Sequence, residues 1–396
     1  MKRPPADLLT IFAVLAVTAI VGSALGPLLV AIREDFGLTF AELGLIFSAQ
    51  SLARLLTNMP AGIIADRVAA RVPIAAGGIC LGAGTVLMAM APGFTLLLLG
   101  ALIGTLGTTL MTTSGITYII SNADTRRRGR ATSRALAGAQ VGTFIGPLMA
   151  GLIAASLGWR AALVPAAFLS FIAAIAVLPI LHRHTPTPSQ QQAPSLSLSN
   201  LRVPRVVLPI IALSVLISGP LVQTRVVLPL YAGDGLALDP GLVGLAMSAM
   251  SAARAALMFV SGNLMDRAGR GSSFYAMTIA ALGAALFLLA PIGVGAFVGA
   301  CALSAFTGLG GVLPSVLIGD RTPKPFVGRS LGWLFTASSL AQLGIAPAVG
   351  LLLDVHGFDL VGVAMAVPIV VVGVAGWWIV GDMPWNRQTQ ATPDKR

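Results

Sequence analysis

Twelve stretches of roughly 20 or more mostly apolar residues recur along the chain, at about 9–31, 41–65, 72–91, 93–120, 131–156, 161–181, 206–232, 240–265, 273–291, 293–319, 328–353 and 358–381. A helix that crosses a bilayer needs roughly 20 such residues, because lipid leaves no partner for a backbone group unsatisfied within the segment. The recurrence predicts an all-α integral membrane protein with twelve transmembrane helices. Composition points the same way: 56% of the 396 residues are hydrophobic and 10% charged, against about 25% charged in a soluble domain. So few charges cannot clothe a water-facing surface. That excludes a soluble enzyme, a nucleic-acid-binding module and a disordered chain. Cys80 and Cys301 lie in apolar runs and offer neither a disulfide framework nor a metal site. The first span follows Lys2 and Arg3 as a signal peptide would, but it is longer than an h-region and eleven more follow, so it reads as a retained helix.

The longest polar stretch, 182–205, is rich in Pro, Gln and Ser and shows no apolar period. It reads as a cytoplasmic linker between a six-helix half at 1–181 and another at 206–381, with a cytoplasmic tail at 382–396. Charge sets the orientation. With both termini inside, all but five of the 25 Lys and Arg residues fall in cytoplasmic segments. Arg33 and Arg160 fall outside, and Arg54, Arg225 and Arg254 fall within spans. The formal charge of +11 is thus positive-inside placement rather than a sign of a polyanion partner. Asp and Glu divide evenly between the two sides.

The halves repeat at an offset of 200 residues. Ser51-Leu-Ala-Arg54 is echoed by Ser251-Ala-Ala-Arg254, Gly62-Ile-Ile-Ala-Asp66-Arg67 by Gly262-Asn-Leu-Met-Asp266-Arg267, and Pro147 by Pro347. Two parallel six-helix repeats with a substrate site near the midplane are a known transporter plan.

On these residues the whole chain resembles the major facilitator superfamily. The family's signature after its second helix, roughly Gly-x-x-x-Asp-Arg-x-Gly-Arg-Arg/Lys, is matched by Gly62, Asp66, Arg67 and Arg71, with Ala69 and Ala70 in place of the Gly and a basic residue. The copy at Gly262, Asp266, Arg267, Gly269 and Arg270 is more complete. A carboxylate at a helix end can pair with guanidinium groups and with a neighbouring helix N-terminus. Contacts of that kind can form in one conformation and break in another, so these residues are expected to latch the cytoplasmic side. Positive-inside anchoring is the alternative role of Arg67 and Arg71.

In the fifth span, Gly142-Thr-Phe-Ile-Gly146-Pro147-Leu-Met-Ala-Gly151 is similar to the Gly-Pro motif of the family's exporters and antiporters. Gly344, Pro347 and Gly350 offer the same features in the eleventh. Small residues at four-residue spacing admit close helix packing, and Pro147 and Pro347 invite a bend. The resemblance implies efflux, by a drug or small-molecule branch. Two departures bear on coupling. The Arg usual in the fourth helix of drug–proton antiporters is missing, since 94–120 holds no charge at all. No Asp or Glu lies deep in a span, so the usual embedded proton carrier is absent and a proton is not expected as the coupling ion.

What the spans do hold is arginine. Arg54 and Arg254 precede Asp66 and Asp266, respectively, by twelve residues, about 18 Å along a helix, which is near the middle of a core about 30 Å thick. One reading is a pair of anion ligands in the central cavity, since the planar guanidinium suits carboxylate, nitrate-like and phosphate groups. The pair is similar to that of the superfamily's nitrate/nitrite branch, whose glycine-rich fifth-helix signature is missing here. The other reading is hydrogen bonding to polar groups such as Asn58, Gln140 or Gln342. Arg225, closer to the outer end, is a further candidate ligand or a snorkelling residue. Asn58, Gln140 and Gln342 are expected to line the cavity, the two glutamines in the related settings Ala-Gln-Val-Gly and Ala-Gln-Leu-Gly.

No His-Glu-x-x-His, Gly-x-Ser-x-Gly or phosphate loop occurs, and the lysines are only Lys2, Lys324 and Lys395. No catalytic residue, cofactor or metal is expected. The expected function is secondary transport by alternating access in the cell membrane, most simply export of small amphipathic compounds by a monomer. The alternatives are a small-anion carrier using Arg54 and Arg254, or a non-transporting receptor on the same fold.

Overall fold

The computed structural model describes residues 5–122, 128–181, 208, 210–212, 215, 225–268, 327–358 and 371. All regular structure among the described residues is helical. Helix α1 (Pro5–Ala24) passes through a 3₁₀ turn, Gly26–Leu28, into α2 (Leu29–Phe36). The first span is therefore two helices rather than one, broken where Pro27 removes a backbone donor. Gly37, at φ 62°, caps α2 in the left-handed conformation that glycine adopts without strain. Thr39 and Glu42 then form a capping box, Thr39 N donating to Glu42 Oε2 at 2.8 Å and Glu42 N to Thr39 Oγ1 at 3.2 Å. It opens α3 (Phe40–Arg67), which is followed by α4 (Arg71–Ala89), α5 (Phe94–Asn122), α6 (Arg128–Leu157) and α7 (Trp159–Ile180). A helix over 225–230, α8, runs on into a π-helical turn, Tyr231–Gly235. Next come α9 (Pro240–Ala268) and α10 (Val327–His356).

Six of these helical segments are long and apolar enough to cross a membrane, and each lies on a span expected from sequence. The expected spans at 273–291 and 293–319, nearly all of 358–381, most of the first part of 206–232, the linker 182–205 and the tail 382–396 lie outside the described residues.

Apolar burial cannot drive helices together in lipid, so close approach has to do it. In the first half α4 packs on α5 and α7, and α1 on α6. A Cβ on Gly77 would lie 2.7 Å from Gly107 O, and one on Gly84 would lie 2.6 Å from Gly100 O. Only glycine fits along that seam. Thr85, Thr105 and Thr109 return their hydroxyls to carbonyls one turn back, at 2.7, 2.8 and 2.9 Å, so these three are satisfied in the apolar interior. Ile11, Leu15, Ile74, Leu81 and Met111 form the packed centre. Leu9, Leu157, Phe168 and Ile175 instead point outward, as residues against lipid do.

The chain divides into two compact units. The first comprises Met1–Arg202, Arg225–Ala252 and Ser339–Phe358; the second comprises Val203–Thr224, Ala253–Ser338 and Asp359–Arg396. Within the first, the helices alternate between an end marked by Gly37 and an end marked by Arg67.

Candidate functional site

At the Gly37 end, α3 lies against α10 and α6 against α9, in two contacts related by the 200-residue repeat. A Cβ on Gly44 would sit 2.6 Å from Ala346 O and 2.8 Å from Pro347 Cα. Gly244 stands in the same relation to the carbonyl of Pro147. Gly350 abuts the Phe40 carbonyl as Gly151 abuts that of Pro240. Ser48 Oγ donates to Leu343 O at 2.7 Å, and Ser248 Oγ to Phe144 O, also at 2.7 Å. Leu343 precedes Pro347 by one turn, so the proline has withdrawn the N–H that would otherwise bond this carbonyl. The serine of the facing helix takes the vacancy.

A charged clasp closes over the first of these contacts. Asp354, at the end of α10, accepts from Phe40 N through Oδ1 at 2.8 Å and from Ala41 N through Oδ2 at 2.9 Å. A carboxylate here meets the unbonded donors and the positive dipole end of α3. Arg33, at the end of α2, donates from Nη1 to Asp234 Oδ2 at 2.6 Å and from Nε to Leu38 O at 3.2 Å. Its guanidinium also lies 4.2 Å over the Phe40 ring. Phe358 completes the cluster, with its ring centre 5.5 Å from Phe40 and 5.6 Å from Tyr231. Arg160 ties down the turns of the first half: it pairs with Asp35, donates to Ala91 O at 3.1 Å and stacks on Trp159 at 4.4 Å.

Midway along the bundle is arginine. Arg54 sits halfway along α3, about 20 Å from either end at 1.5 Å per residue. It is half-buried, and its Nη2 donates at 3.1 Å to Ser51 Oγ, which in turn donates to Phe47 O at 2.8 Å. Arg225 lies ten residues before Gly235, about 15 Å in, deeper than a seventh-span end near 232 implies. It is exposed, while Val226 and Val227 beside it are fully buried.

The remaining expected site residues are distributed along the helices. Asn58 is one turn beyond Arg54 on α3; Gln140 is on α6 and Gln342 on α10, all three half-buried. Arg254 lies midway along α9, in the second unit. Helix α6 runs unbroken through Pro147, and α10 through Pro347. Gly142 and Gly146 turn toward α1, where a Cβ on Gly142 would meet Ala19 Cβ at 2.7 Å and one on Gly146 would lie 3.0 Å from Ile20 Cα. The motif thus has two faces, Gly142 and Gly146 on α1 and Pro147 and Gly151 on α9. Arg71 is half-buried at the start of α4. The side chains of Asp66, Arg67, Asp266 and Arg267, and all of Arg270, lie outside the described residues, and Gly62 and Gly262 are described as backbone only.

Several contributors were not among the expected site residues. Gly44, Ser48, Gly244 and Ser248 obey the same 200-residue offset as Ser51 and Ser251, so extending the repeat toward the span starts would have found them. Asp354 and Asp234 fall at span ends, and no sequence signal pairs them with Phe40 N or Arg33. Asp7, the third residue of α1, is a buried carboxylate within the first span that accepts from Tyr118 Oη at 2.9 Å. It sits at the Arg67 end, not at the midplane.

No curated protein matches the sequence at a significant level. Solved structures match across nearly the whole chain. A bacterial homolog of the human lysosomal transporter Spinster, in an inward-facing and unoccupied conformation, is 15% identical; 96% of this chain and 97% of that one are covered, with a TM-score of 0.77. The nucleoside transporter NupG is 17% identical, with 94% and 99% covered and a TM-score of 0.75. A peptide transporter, POT, is 15% identical, with 98% and 96% covered and a TM-score of 0.76. At such identities the likeness shows the fold alone: the all-helical membrane architecture of two six-helix halves. The sequence model of the Major Facilitator Superfamily matches twice, over residues 11–234 and 224–395. The chain is a multi-pass membrane transporter, not an enzyme, and it belongs to the Major Facilitator Superfamily.

Proposed function

We propose that the protein exports small amphipathic compounds across the cell membrane by alternating access, as a monomer with both termini in the cytoplasm. In that orientation the Gly37 end is the outer face. The observation that carries the reading is the repeated glycine–serine contact, α3 on α10 and α6 on α9. Each is made by a hydroxyl–carbonyl bond and close backbone approach. Such a contact can part and re-form. Asp354 and the Arg33–Asp234 pair would latch the outer face, while Asp66, Arg67, Arg71, Asp266, Arg267 and Arg270 would latch the inner one after the outer has opened. Gly142, Gly146, Pro147 and Gly151 support efflux through their resemblance to the exporters' motif. Arg54, Arg225, Arg254, Asn58, Gln140 and Gln342 would line the substrate path, and the coupling ion is not assigned to a proton. A second reading, a small-anion carrier using Arg54 and Arg254, is favoured by the matching places of these two arginines in the two repeats.

The test is accumulation of a fluorescent amphiphile, such as ethidium or a fluorescein carboxylate, by cells overproducing the chain. Export lowers the steady-state dye content relative to cells carrying the empty vector. Unchanged content for every dye would contradict the exporter assignment, and raised content would indicate uptake.

A further inference from the structure

The two contacts at the Gly37 end share one plan but are closed unequally. Along α10, Leu343 O, Ala346 O and Gly350 meet Ser48, Gly44 and the Phe40 carbonyl. Along α6, Phe144 O, Pro147 O and Gly151 meet Ser248, Gly244 and the Pro240 carbonyl. One turn further in the same register, Asp354 is answered by Ala155. Ala41, whose N–H donates to Asp354 at 2.9 Å, is answered by Gly241, where a Cβ would lie 3.7 Å from Ala155 Cβ. The clasp is thus missing from both sides of the second contact. Ala155 has no acceptor. Pro240, in the place of Phe40, lacks the N–H that donates to Asp354 Oδ1 at 2.8 Å. It also lacks the ring that meets the Arg33 guanidinium and Phe358. The preceding carboxylate, Asp239, turns back onto its own helix and accepts from Leu242 N at 3.2 Å.

We infer that the Gly37 end opens on one side: α6 and α9 form the moving gate, α3 and α10 form the hinge, and the carried molecule leaves past α6 and α9. The inference rests on the transporter reading above and adds which contact parts. Parting α3 from α10 strips a carboxylate from two backbone donors at the positive end of a helix dipole, and charge-assisted bonds of that kind are roughly twice as strong as neutral ones. It also pulls Phe40 from Phe358. Parting α6 from α9 breaks the neutral Ser248–Phe144 bond, whose counterpart Ser48–Leu343 the first contact holds as well. The two contacts therefore differ by the clasp, and the one without it yields first. Asp354 is on this account a positioning residue, acting through α3 rather than on the substrate.

The experiment labels single cysteines with a small maleimide in the full-length protein in nanodiscs, with Cys80 and Cys301 replaced by serine. Ser48→Cys and Ser248→Cys are matched probes: both serines are buried, at 8% and 0% exposure, and each substitution removes the same bond from its own contact. Ser248→Cys should react about fivefold faster than Ser48→Cys or more, the scale of one helix cap. Adding Asp354→Ala should bring Ser48→Cys up to the rate of Ser248→Cys and leave the latter within about twofold, a pattern that access from the opposite end cannot produce. Asp354→Asn, which keeps an acceptor oxygen without the charge, should fall between. Ala155→Asp with Pro240→Ala, which supplies the missing acceptor and donor, should slow Ser248→Cys several-fold. The first comparison is between proteins that both keep Asp354, so it does not depend on how well Asp354→Ala folds. Equal rates at the two serines, a faster rate at Ser48→Cys, or a change on Asp354→Ala that is the same at both sites would overturn the inference and leave export by a symmetric opening standing. If neither cysteine reacts, both the inference and the opening of this end during transport are overturned.

Discussion

A single carboxylate shows how sequence position and function separate. Asp354 reads from sequence as a polar residue at a span end, and any Asp or Glu there would pass the same hydropathy pattern. Its role depends on a partner 314 residues away, the N-terminus of α3, whose donors at Phe40 and Ala41 it accepts. Nothing local encodes that distance. Arg54 was legible, because a lone charge in the middle of a span always demands an account. Its ligand was not, since a repeat at 200 residues points only to the matching Arg254. Removing the Asp354 carboxylate should cost about 1 kcal/mol of closure at the Gly37 end, the scale of a helix cap at an exposed site. Labelling with a maleimide is the readout. Ala346 is fully buried at this contact; a cysteine there, in a background where Cys80 and Cys301 are serine, should react several-fold faster when Asp354→Ala is added, because about 1 kcal/mol changes a population ratio roughly fivefold. An unchanged rate would show that the clasp does not hold this end shut.

At the scale of elements, glycines of identical appearance do two jobs. Gly77 and Gly107 cement α4 to α5 within the first half, while Gly44 and Gly244 lie at contacts that also hold serine hydroxyls on facing carbonyls. Helix positions were readable to within a few residues because the apolar runs are long and punctuated by turn signals. The break in the first span was not, although Leu25-Gly26-Pro27 carried it: hydropathy continues across a turn that the backbone does not. Two substitutions separate the jobs. Gly107→Val should cost on the order of 1–3 kcal/mol by overpacking, seen as a clear fall in melting temperature and in folded yield. Gly44→Val should leave the melting temperature within a few degrees and instead raise labelling at position 346, since the strain is relieved when the two helices part. Equal loss of folded protein in both would mean that the α3–α10 contact is as permanent as the α4–α5 seam.

For the whole molecule, twelve apolar runs, a twofold repeat and biased arginines carried the fold class, and the family match over 11–234 and 224–395 agrees with them. Those features are written redundantly, in hundreds of residues, which is why sequence alone sufficed. Substrate and coupling depend on a handful of side chains, and no periodicity marks them. The central claim, that the Gly37 end opens and shuts during each transport cycle, can be tested by holding it shut. A Cβ placed on Gly241 lies 3.7 Å from Ala155 Cβ, within the usual span of a disulfide, where the Cβ atoms are about 3.5–4.5 Å apart. In a protein lacking Cys80 and Cys301, Ala155→Cys with Gly241→Cys should cross-link under a mild oxidant, abolish substrate flux in proteoliposomes, and recover it on reduction. Full flux through the cross-linked protein would contradict the account.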